Sequence, residues 1–252
     1  CAEIEAMQQA AEKAGRYVVA GMKKMFFPVN RKARELMYGD DFGTPSLVLL
    51  QYPQYIPPMD EIRKWRDDRE SIGSVRGFLD HLCHPASLLV YLLGMPDSLY
   101  YERSAAGGGL ATFSFAAGAV ASLAMTHRAT SNVGKERTTI VSEAGRHIVV
   151  DTNHRVSYHR TPPPEPGTGY GSSPSYYTGT TEQTTAVWEP EFSLGQLYNK
   201  GLFLLGYYGE VSEFARSILE GRAPRKGTLE QAWQVTRLFE AFAQGPRRTI
   251  SL

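Results

Sequence analysis

The first hydrophobic positions of the chain recur at helical spacing. Ile4, Met7 and Ala11 fall on one face of a helix, and Gly15 follows them, as is typical of a helix C-terminus. The apolar run over residues 17–22 then predicts a buried strand of the kind found in parallel sheets. A helix followed by such a strand is typical of the edge of an α/β layer.

Farther along the chain, the hydrophobic period changes to the alternation of β-strands. A helix is predicted over 28–37, a strand over 46–55 and a short helix or surface loop over 57–70. Beyond these elements, glycine-rich turns separate predicted strands over 98–104, 109–116, 119–127, 136–143 and 146–159, with Asn153 as a candidate break in the last. Consecutive hairpins predict an antiparallel sheet, one face of which helices must cover.

The end of the chain predicts two more helices, over 208–220 and 229–243, and a final strand over 248–252. Segment 161–185 is rich in Pro, Gly, Ser, Thr and Tyr and has almost no aliphatic residues. This composition is typical of a flexible, solvated loop, and its tyrosines also suit a lid or an arm on a neighbouring subunit. The whole pattern predicts an α+β fold, an open and mostly antiparallel sheet covered by helices on one face.

Composition and charge narrow the possible functions. The 252 residues are 42% hydrophobic and 21% charged, as in ordinary soluble proteins, and the net charge of +1 gives no reason to expect nucleic-acid or membrane binding. Cys1 and Cys83 do not form a disulfide framework, so a reducing, cytoplasmic location is predicted. The uncharged stretch 108–125 alternates and is interrupted by Gly118, which predicts a hairpin and not a membrane span.

Asp80 and His84 are the strongest candidates for chemistry. They lie four residues apart, so they share one helix face, and Pro85 predicts a helix start near His81 because proline is tolerated in a first turn. A carboxylate beside an imidazole suits proton transfer, and it also suits a structural pair that stabilises the helix start. With Cys83 the residue types suit zinc as well, but no second ligand cluster follows, and no metal site is predicted.

Four segments in order resemble the C-terminal three-quarters of the Gfo/Idh/MocA oxidoreductases, the family of glucose–fructose oxidoreductase and inositol dehydrogenase. Residues 2–22 are similar to the last helix and strand of that family's Rossmann domain, and residues 23–28, KKMFFP, to its short R-F-x-P segment. Residues 77–94 resemble the family's G-G-x-x-x-D-x-x-x-H motif and trailing helix, and residues 210–252 its closing helices and final strand.

The resemblance implies a fold, a reaction and a set of site residues. Residues 1–22 would be a remnant of a dinucleotide-binding domain, and 23–252 a substrate-binding and oligomerisation domain. The implied reaction is hydride transfer between NAD or NADP and a sugar or polyol hydroxyl, with His84 as proton acceptor and Asp80 orienting the substrate. The further candidates are Lys24, Tyr198, Lys200 and Tyr208 for the substrate and Lys23 for the cofactor.

The resemblance also implies a homodimer or homotetramer formed through the open sheet. If no helix covers the sheet face that carries alternating apolar residues, that face is expected to bind a partner. The residues concerned are Ala111, Phe113, Phe115 and Leu123.

The sequence departs from the family pattern at several points. The Gly-x-Gly-x-x-Gly phosphate loop is absent, and the nearest candidate, residues 167–171, follows no predicted strand. Val75 and Arg76 occupy the two glycine positions of the motif, and Met25 occupies the usual arginine position. The chain is therefore not expected to hold a dinucleotide by itself, which leaves open an alternative function as a non-catalytic binding module that requires a separate Rossmann-bearing partner.

Overall fold

The structure is a computed structural model that describes residues 1–68, 70, 73, 75–127, 135–160, 185–190 and 200–252. In these ranges there are seven α-helices: α1 (Ala2–Ala14), α2 (Pro28–Met37), α3 (Met59–Asp67), α4 (Val75–Leu93), α5 (Lys200–Leu204), α6 (Tyr207–Leu219) and α7 (Leu229–Phe242). A 3-10 helix spans Lys23–Phe26. The strands are β1 (Pro45–Tyr52), β2 (Ser98–Arg103), β3 (Gly109–Ser114), β4 (Val120–Met125), β5 (Arg137–Ser142), β6 (His147–Asp151), β7 (Arg155–His159), β8 (Thr185–Trp188) and β9 (Ile250–Ser251).

The nine strands form one open sheet in the order β8-β7-β6-β5-β1-β4-β3-β2-β9. β1 pairs in parallel with β4, and every other neighbouring pair is antiparallel. The predicted α+β class with an open, mostly antiparallel sheet is therefore confirmed. The break at Asn153 is also confirmed, because this residue has a positive φ of 60° in the turn between β6 and β7.

One face of the sheet carries the hydrophobic core. Ala111, Phe113, Phe115 and Leu123, named above as a possible partner surface, are all buried in this core, beneath helices that include α4 and α7. The opposite face is open and carries exposed apolar side chains. They include Leu49, Tyr100, Leu110, Val120 and Val187.

The strand predicted over residues 17–22 does not form. Tyr17 and Val18 are exposed, and the segment makes only a single antiparallel bridge, between Val19 and Thr228. A strand of the parallel type needs hydrogen-bonding neighbours on both sides, and the described residues supply only this one contact. Helix α1 lies against α7, with the Trp233 indole nitrogen donating to Glu5 at 2.8 Å.

Helix α4 begins at Val75, six residues before the predicted start near His81, so Pro85 lies inside it. An internal proline has no N–H to donate to the carbonyl four residues earlier, here that of His81. Pro85 and nine other residues of the helix are buried, and this packing offsets the loss of one hydrogen bond. The prediction was wrong because the preference of proline for a first helical turn is a local rule, whereas tertiary packing decides where α4 begins.

Three elements were not predicted. The 3-10 helix is only four residues long, β8 begins at the last residue of the segment interpreted as a loop, and α5 is only five residues long. The rest of the proposed loop, residues 161–184, lies outside the described residues, as does Tyr198. No described helix is both long enough and apolar enough to cross a membrane.

Candidate functional site

A cleft opens between the 3-10 helix, helix α4 and one end of the sheet. Its wall residues are Lys24, Leu50, Gln51, Tyr52, His84, Pro85, Leu88, Glu136, Thr138, Val150 and Asn153. Pairing in the sheet brings them together: Gln51, next to Tyr52 at the end of β1, pairs with Arg137, next to Glu136 at the start of β5. The space between these wall residues measures about 10 Å³, room for roughly one water molecule.

Lys24 forms the floor of the cleft and is only 3% exposed. Its ammonium forms an ion pair with Glu136 and lies 3.5 Å from Asn153 Oδ1, 4.5 Å from the centre of the Phe27 ring and 5.6 Å from that of Tyr52. Burial lowers the pKa of Lys24, and the nearby Glu136 carboxylate opposes that shift. The cleft therefore contains a fixed positive charge that is already neutralised by one carboxylate.

His84 projects from α4 into the same cleft, with its ring 6.3 Å from that of Tyr52 in an edge-on arrangement. Burial first, then the positive charges of Lys24 and Lys23, lower the pKa of His84 to about 4, while Asp80 opposes the shift weakly. The imidazole is therefore neutral at physiological pH and able to accept a proton.

The contacts of Cys83 indicate which imidazole nitrogen accepts. The Cys83 thiol donates to the Asp80 backbone carbonyl at 2.9 Å, and its sulfur lies 3.5 Å from His84 Nδ1. Burial raises the pKa of Cys83 to about 11, so the thiol keeps its proton, and with that proton donated to the Asp80 carbonyl the sulfur faces Nδ1 as an acceptor. In this arrangement Nε2 carries the lone pair.

Asp80 lies one helical turn before His84 but does not line the cleft. It is exposed, and within the described chain its carboxylate makes no hydrogen bond or ion pair. Its effect on the site is electrostatic: its negative charge raises the pKa values of His84, Cys83 and Tyr52.

The remaining predicted site residues lie at the rim or away from the cleft. The Lys23 ammonium donates to the Tyr207 hydroxyl at 3.0 Å, next to the start of α6. Tyr208 is 56% exposed and stacks on Phe203 at 4.9 Å between ring centres. Lys200 is partly buried at the start of α5, and none of these three residues is among the cleft walls.

Sequence reasoning missed five polar residues of the cleft, Gln51, Tyr52, Glu136, Thr138 and Asn153. Glu136 is 112 positions from its partner Lys24, and Asn153 is 129 positions from it. The one available signal was Asn153, because an asparagine between two β patterns marks a turn with a left-handed residue. Nothing in the sequence indicated that this turn would face a buried lysine.

The described residues do not fit the pyrophosphate of a dinucleotide. Such a site needs a strand, a glycine-rich turn and a helix N-terminus in succession. β1 and β4 form the one parallel pair among the described strands, and β1 leads into an extended segment with prolines at 53, 57 and 58. The described residues also contain no group of three or more His, Cys, Asp or Glu that could hold a metal ion.

Comparison with known proteins finds a family model that matches part of the chain. Residues 30–148 match the GFO/IDH/MocA C-terminal domain, so this part of the chain is similar to the C-terminal portion of that family. No curated protein matched the sequence.

Solved structures show the same fold. A dehydrogenase from Chromobacterium violaceum superposes with a TM-score of 0.68 at 20% identity, over 96% of this chain and 64% of that protein. An oxidoreductase from Agrobacterium radiobacter in complex with NAD+, L-tartaric acid and magnesium gives a TM-score of 0.68 at 10% identity, over 99% and 69%. An aldose-aldose oxidoreductase from Caulobacter crescentus complexed with glycerol gives 0.64 at 19%, over 100% and 68%. The chain thus spans about two thirds of the length of these proteins.

Proposed function

We propose that this chain supplies the substrate side of an NAD(P)-dependent oxidoreductase that transfers a hydride between the cofactor and a sugar or polyol hydroxyl. The match of residues 30–148 to the GFO/IDH/MocA C-terminal domain supports the reaction class, and the solved structures of the same fold include one with NAD+ and one with glycerol. The nicotinamide would accept or donate the hydride. In this proposal residues 1–22 belong to the cofactor domain and residues 23–252 to the substrate domain, and Lys23 lies on the cofactor side of the site.

The observation that carries the proposal is the neutral imidazole of His84 at the wall of the cleft. Removal of a hydride from an alcohol carbon requires the attached hydroxyl to lose its proton. His84 Nε2 is the acceptor, and the Nδ1–H contact with Cys83 holds the ring in the required tautomer. The neighbouring Lys24 charge keeps the imidazole neutral before reaction, at the cost of some basicity, and it stabilises a developing alkoxide, which favours alcohol oxidation.

The roles of the other site residues are proposed from their positions. Lys24 and Glu136 orient substrate hydroxyls from the cleft floor, and Asp80 tunes His84 through its charge. Lys200, Tyr208 and Tyr198 are proposed to contact the distal part of the substrate. We further propose that the protein forms a homodimer or homotetramer through the open face of the sheet.

The test compares His84→Ala with His81→Ala in the protein as its gene encodes it. Alcohol oxidation is followed as NAD(P)H absorbance with NAD or NADP and a panel of sugars and polyols. We expect His84→Ala to lower turnover at least about a hundredfold, the usual contribution of a positioned proton acceptor. His81 is exposed on the same helix and does not line the cleft, so His81→Ala should retain wild-type turnover.

The pH profile gives a second readout of the same proposal. His84 accepts a proton only when neutral, and its pKa is lowered to about 4, so wild-type oxidation should persist well below pH 6.5 and fall as the pH drops through about 4. Unchanged turnover in His84→Ala, or an acidic limb near pH 6.5, would remove His84 as the proton acceptor.

A non-catalytic binding module is the second candidate function. It is favoured by the lack of a pyrophosphate cradle in the described residues. If the protein as encoded binds neither NAD nor NADP and oxidises no alcohol, yet binds sugars in the cleft, this second function replaces the first.

A further inference from the structure

A second cavity lies at the far end of helix α4, and we call it the basic pocket. Its walls are Arg34, Tyr38, residues 90–94, Arg225, Lys226 and Gln231, and its volume is about 490 Å³. Ten residues separate His84 from Gly94 along α4, which is about 15 Å at the rise of a helix. The basic pocket is therefore distinct from the cleft.

Two side chains of the pocket are fixed to the C-terminal end of α4. Arg34 Nε donates to the Tyr91 carbonyl at 2.9 Å, and the Tyr38 hydroxyl donates to the Leu92 carbonyl at 2.7 Å. The Arg34 guanidinium also lies 4.9 Å from the Tyr38 ring centre and 5.0 Å from that of Tyr91. These contacts occupy carbonyl oxygens at the negative end of the helix, and the terminal nitrogens of Arg34 remain available as donors.

Lys226 is the most informative residue of the pocket. Its ammonium lies 4.7 Å from the Phe26 ring centre and 5.9 Å from that of Tyr91, and it forms no ion pair in the described part of the chain. Burial, followed by the positive charge of Arg31, lowers its pKa, and Arg34 adds to the effect, while the Glu213 carboxylate opposes the shift. The half-buried ammonium thus lies among arginines without an ion-pair partner in the described chain.

The Glu213 carboxylate compensates this charge only in part. Glu213 is engaged through both oxygens by the Arg222 guanidinium, at 2.8 and 3.2 Å. The Gln231 side-chain oxygen accepts from the Thr228 backbone N–H at 3.3 Å in the capping box of α7, which leaves the Gln231 amide nitrogen as a donor. Arg225 is exposed at the mouth, and its side chain forms no ion pair among the described residues.

We propose that the basic pocket binds an oxyanion of the phosphate class, either a free phosphate or the phosphate group of a small metabolite. Arg34, Arg225, Lys226 and Gln231 line one cavity, and each has nitrogen donors without an acceptor in the described structure. Guanidinium groups bind phosphate oxygens in pairs, and an ammonium adds a point charge, so three cations match a doubly charged anion. Tyr38 and Tyr91 form apolar walls against which the organic part of a phosphorylated ligand would pack.

The experiment is calorimetric titration of the protein, as its gene encodes it, with inorganic phosphate and with pyrophosphate at constant ionic strength. We expect saturable binding of one anion per chain. Lys226→Gln should weaken binding at least about tenfold, the effect of losing one charge-assisted hydrogen bond, whereas Lys226→Arg should largely retain it. Preference for phosphate would indicate a free anion or monophosphate, and preference for pyrophosphate a diphosphate ligand.

The matched control is Arg66→Gln, which removes a surface arginine outside the pocket while lowering the net charge equally. The free protein offers a further readout, because Lys226→Gln removes a half-buried charge that has no ion-pair partner in the described chain and should leave the melting temperature unchanged or higher. Equal weakening by Lys226→Gln and Arg66→Gln would overturn the proposal, as would the absence of saturable binding up to about 10 mM of either anion. Neither cofactor nor sugar enters this experiment, so its outcome is separate from that of the proposed oxidoreductase activity.

Discussion

Lys24 is the residue that most constrains the cleft. A lysine is rarely this buried without a partner, because its charge loses the solvation of water. Here the charge is retained by the Glu136 ion pair and by the faces of Phe27 and Tyr52. The Asn30 side chain also donates to the Lys24 carbonyl at 2.9 Å, which holds the backbone of the 3-10 helix in place.

A prediction for stability follows from the Lys24–Glu136 pair. Glu136→Gln should lower the free energy of unfolding by about 3 kcal/mol, because it leaves a buried charge without its partner. In the double variant Lys24→Met with Glu136→Gln no buried charge remains, and the loss should be smaller than in Glu136→Gln alone. Urea denaturation of the two variants and of the wild type measures both differences.

The control for this pair is Asp67→Asn, which breaks an exposed ion pair with Arg66. It should change the free energy of unfolding by less than about 0.5 kcal/mol. A double variant less stable than Glu136→Gln would show that the pair itself, and not the avoidance of a lone charge, contributes the stability.

At the scale of single residues, the sequence pointed to two residues of the cleft. His84 and Lys24 were named from a motif and a short segment near each other in the family pattern. Glu136 and Asn153 were not, because they lie 112 and 129 positions from Lys24, and neither was Tyr52, which strand pairing brings beside Glu136. Local sequence patterns therefore could not predict which residues surround Lys24.

The 3-10 helix that carries Lys24 is held against the start of α6. Gly206, the residue before α6, has a φ of 77°, and a Cβ at this position would lie 2.5 Å from the Lys23 carbonyl oxygen and 3.1 Å from Phe26. Glycine is needed here both for the left-handed backbone and for the close approach of the two segments. This contact connects the position of Lys24 to an element almost 200 residues later.

Gly206→Ala should destabilise the protein more than an alanine at a left-handed glycine in open space. Gly118 is the matched control, because its φ is 87° and a Cβ there would meet nothing within 4 Å. We expect Gly118→Ala to cost about 1 kcal/mol, the penalty of the backbone conformation, and Gly206→Ala to cost about 3 kcal/mol because backbone must also move. Thermal unfolding measures the loss of stability in each variant. Equal losses would show that the two segments at Gly206 can move apart without a further loss of stability.

Most helices and strands lie close to the positions that the sequence predicted. α2 spans Pro28–Met37, within the limits that its proline and hydrophobic spacing predicted. The hairpin strands β2 to β7 and helices α6 and α7 also agree to within a few residues, since alternation and glycine turns are local signals. The failures, residues 17–22 and the start of α4, concern elements whose formation depends on neighbours.

At the scale of the whole molecule, the open face of the sheet is the surface most suited to a second copy. One face of the nine strands is covered by helices, and the other exposes Leu49, Leu110, Val120 and Val187. A flat apolar surface shared by identical chains can be buried by two-fold pairing.

Leu49→Lys should therefore weaken self-association. Leu49 lies on β1, the central strand of the sheet, so a charge there would be buried in the middle of the interface. Leu219→Lys is the control, because Leu219 is 86% exposed at the end of α6 and away from the sheet. Light scattering should show a dimer or tetramer for the wild type and the control and a smaller species for Leu49→Lys, and a monomeric wild type would contradict the proposal.

The sequence by itself determined the fold class and most element boundaries, which follow from local periodicity and turn chemistry and require only residues close along the chain. The resemblance of its motifs to the Gfo/Idh/MocA family pointed to the two cleft residues His84 and Lys24. The tertiary structure alone decided that Lys24 is paired with Glu136, that Cys83 fixes the His84 tautomer, and that a basic pocket forms beyond the end of α4. Each of these depends on burial, on packing or on contacts between distant segments, and such contacts set charge states that no local pattern encodes.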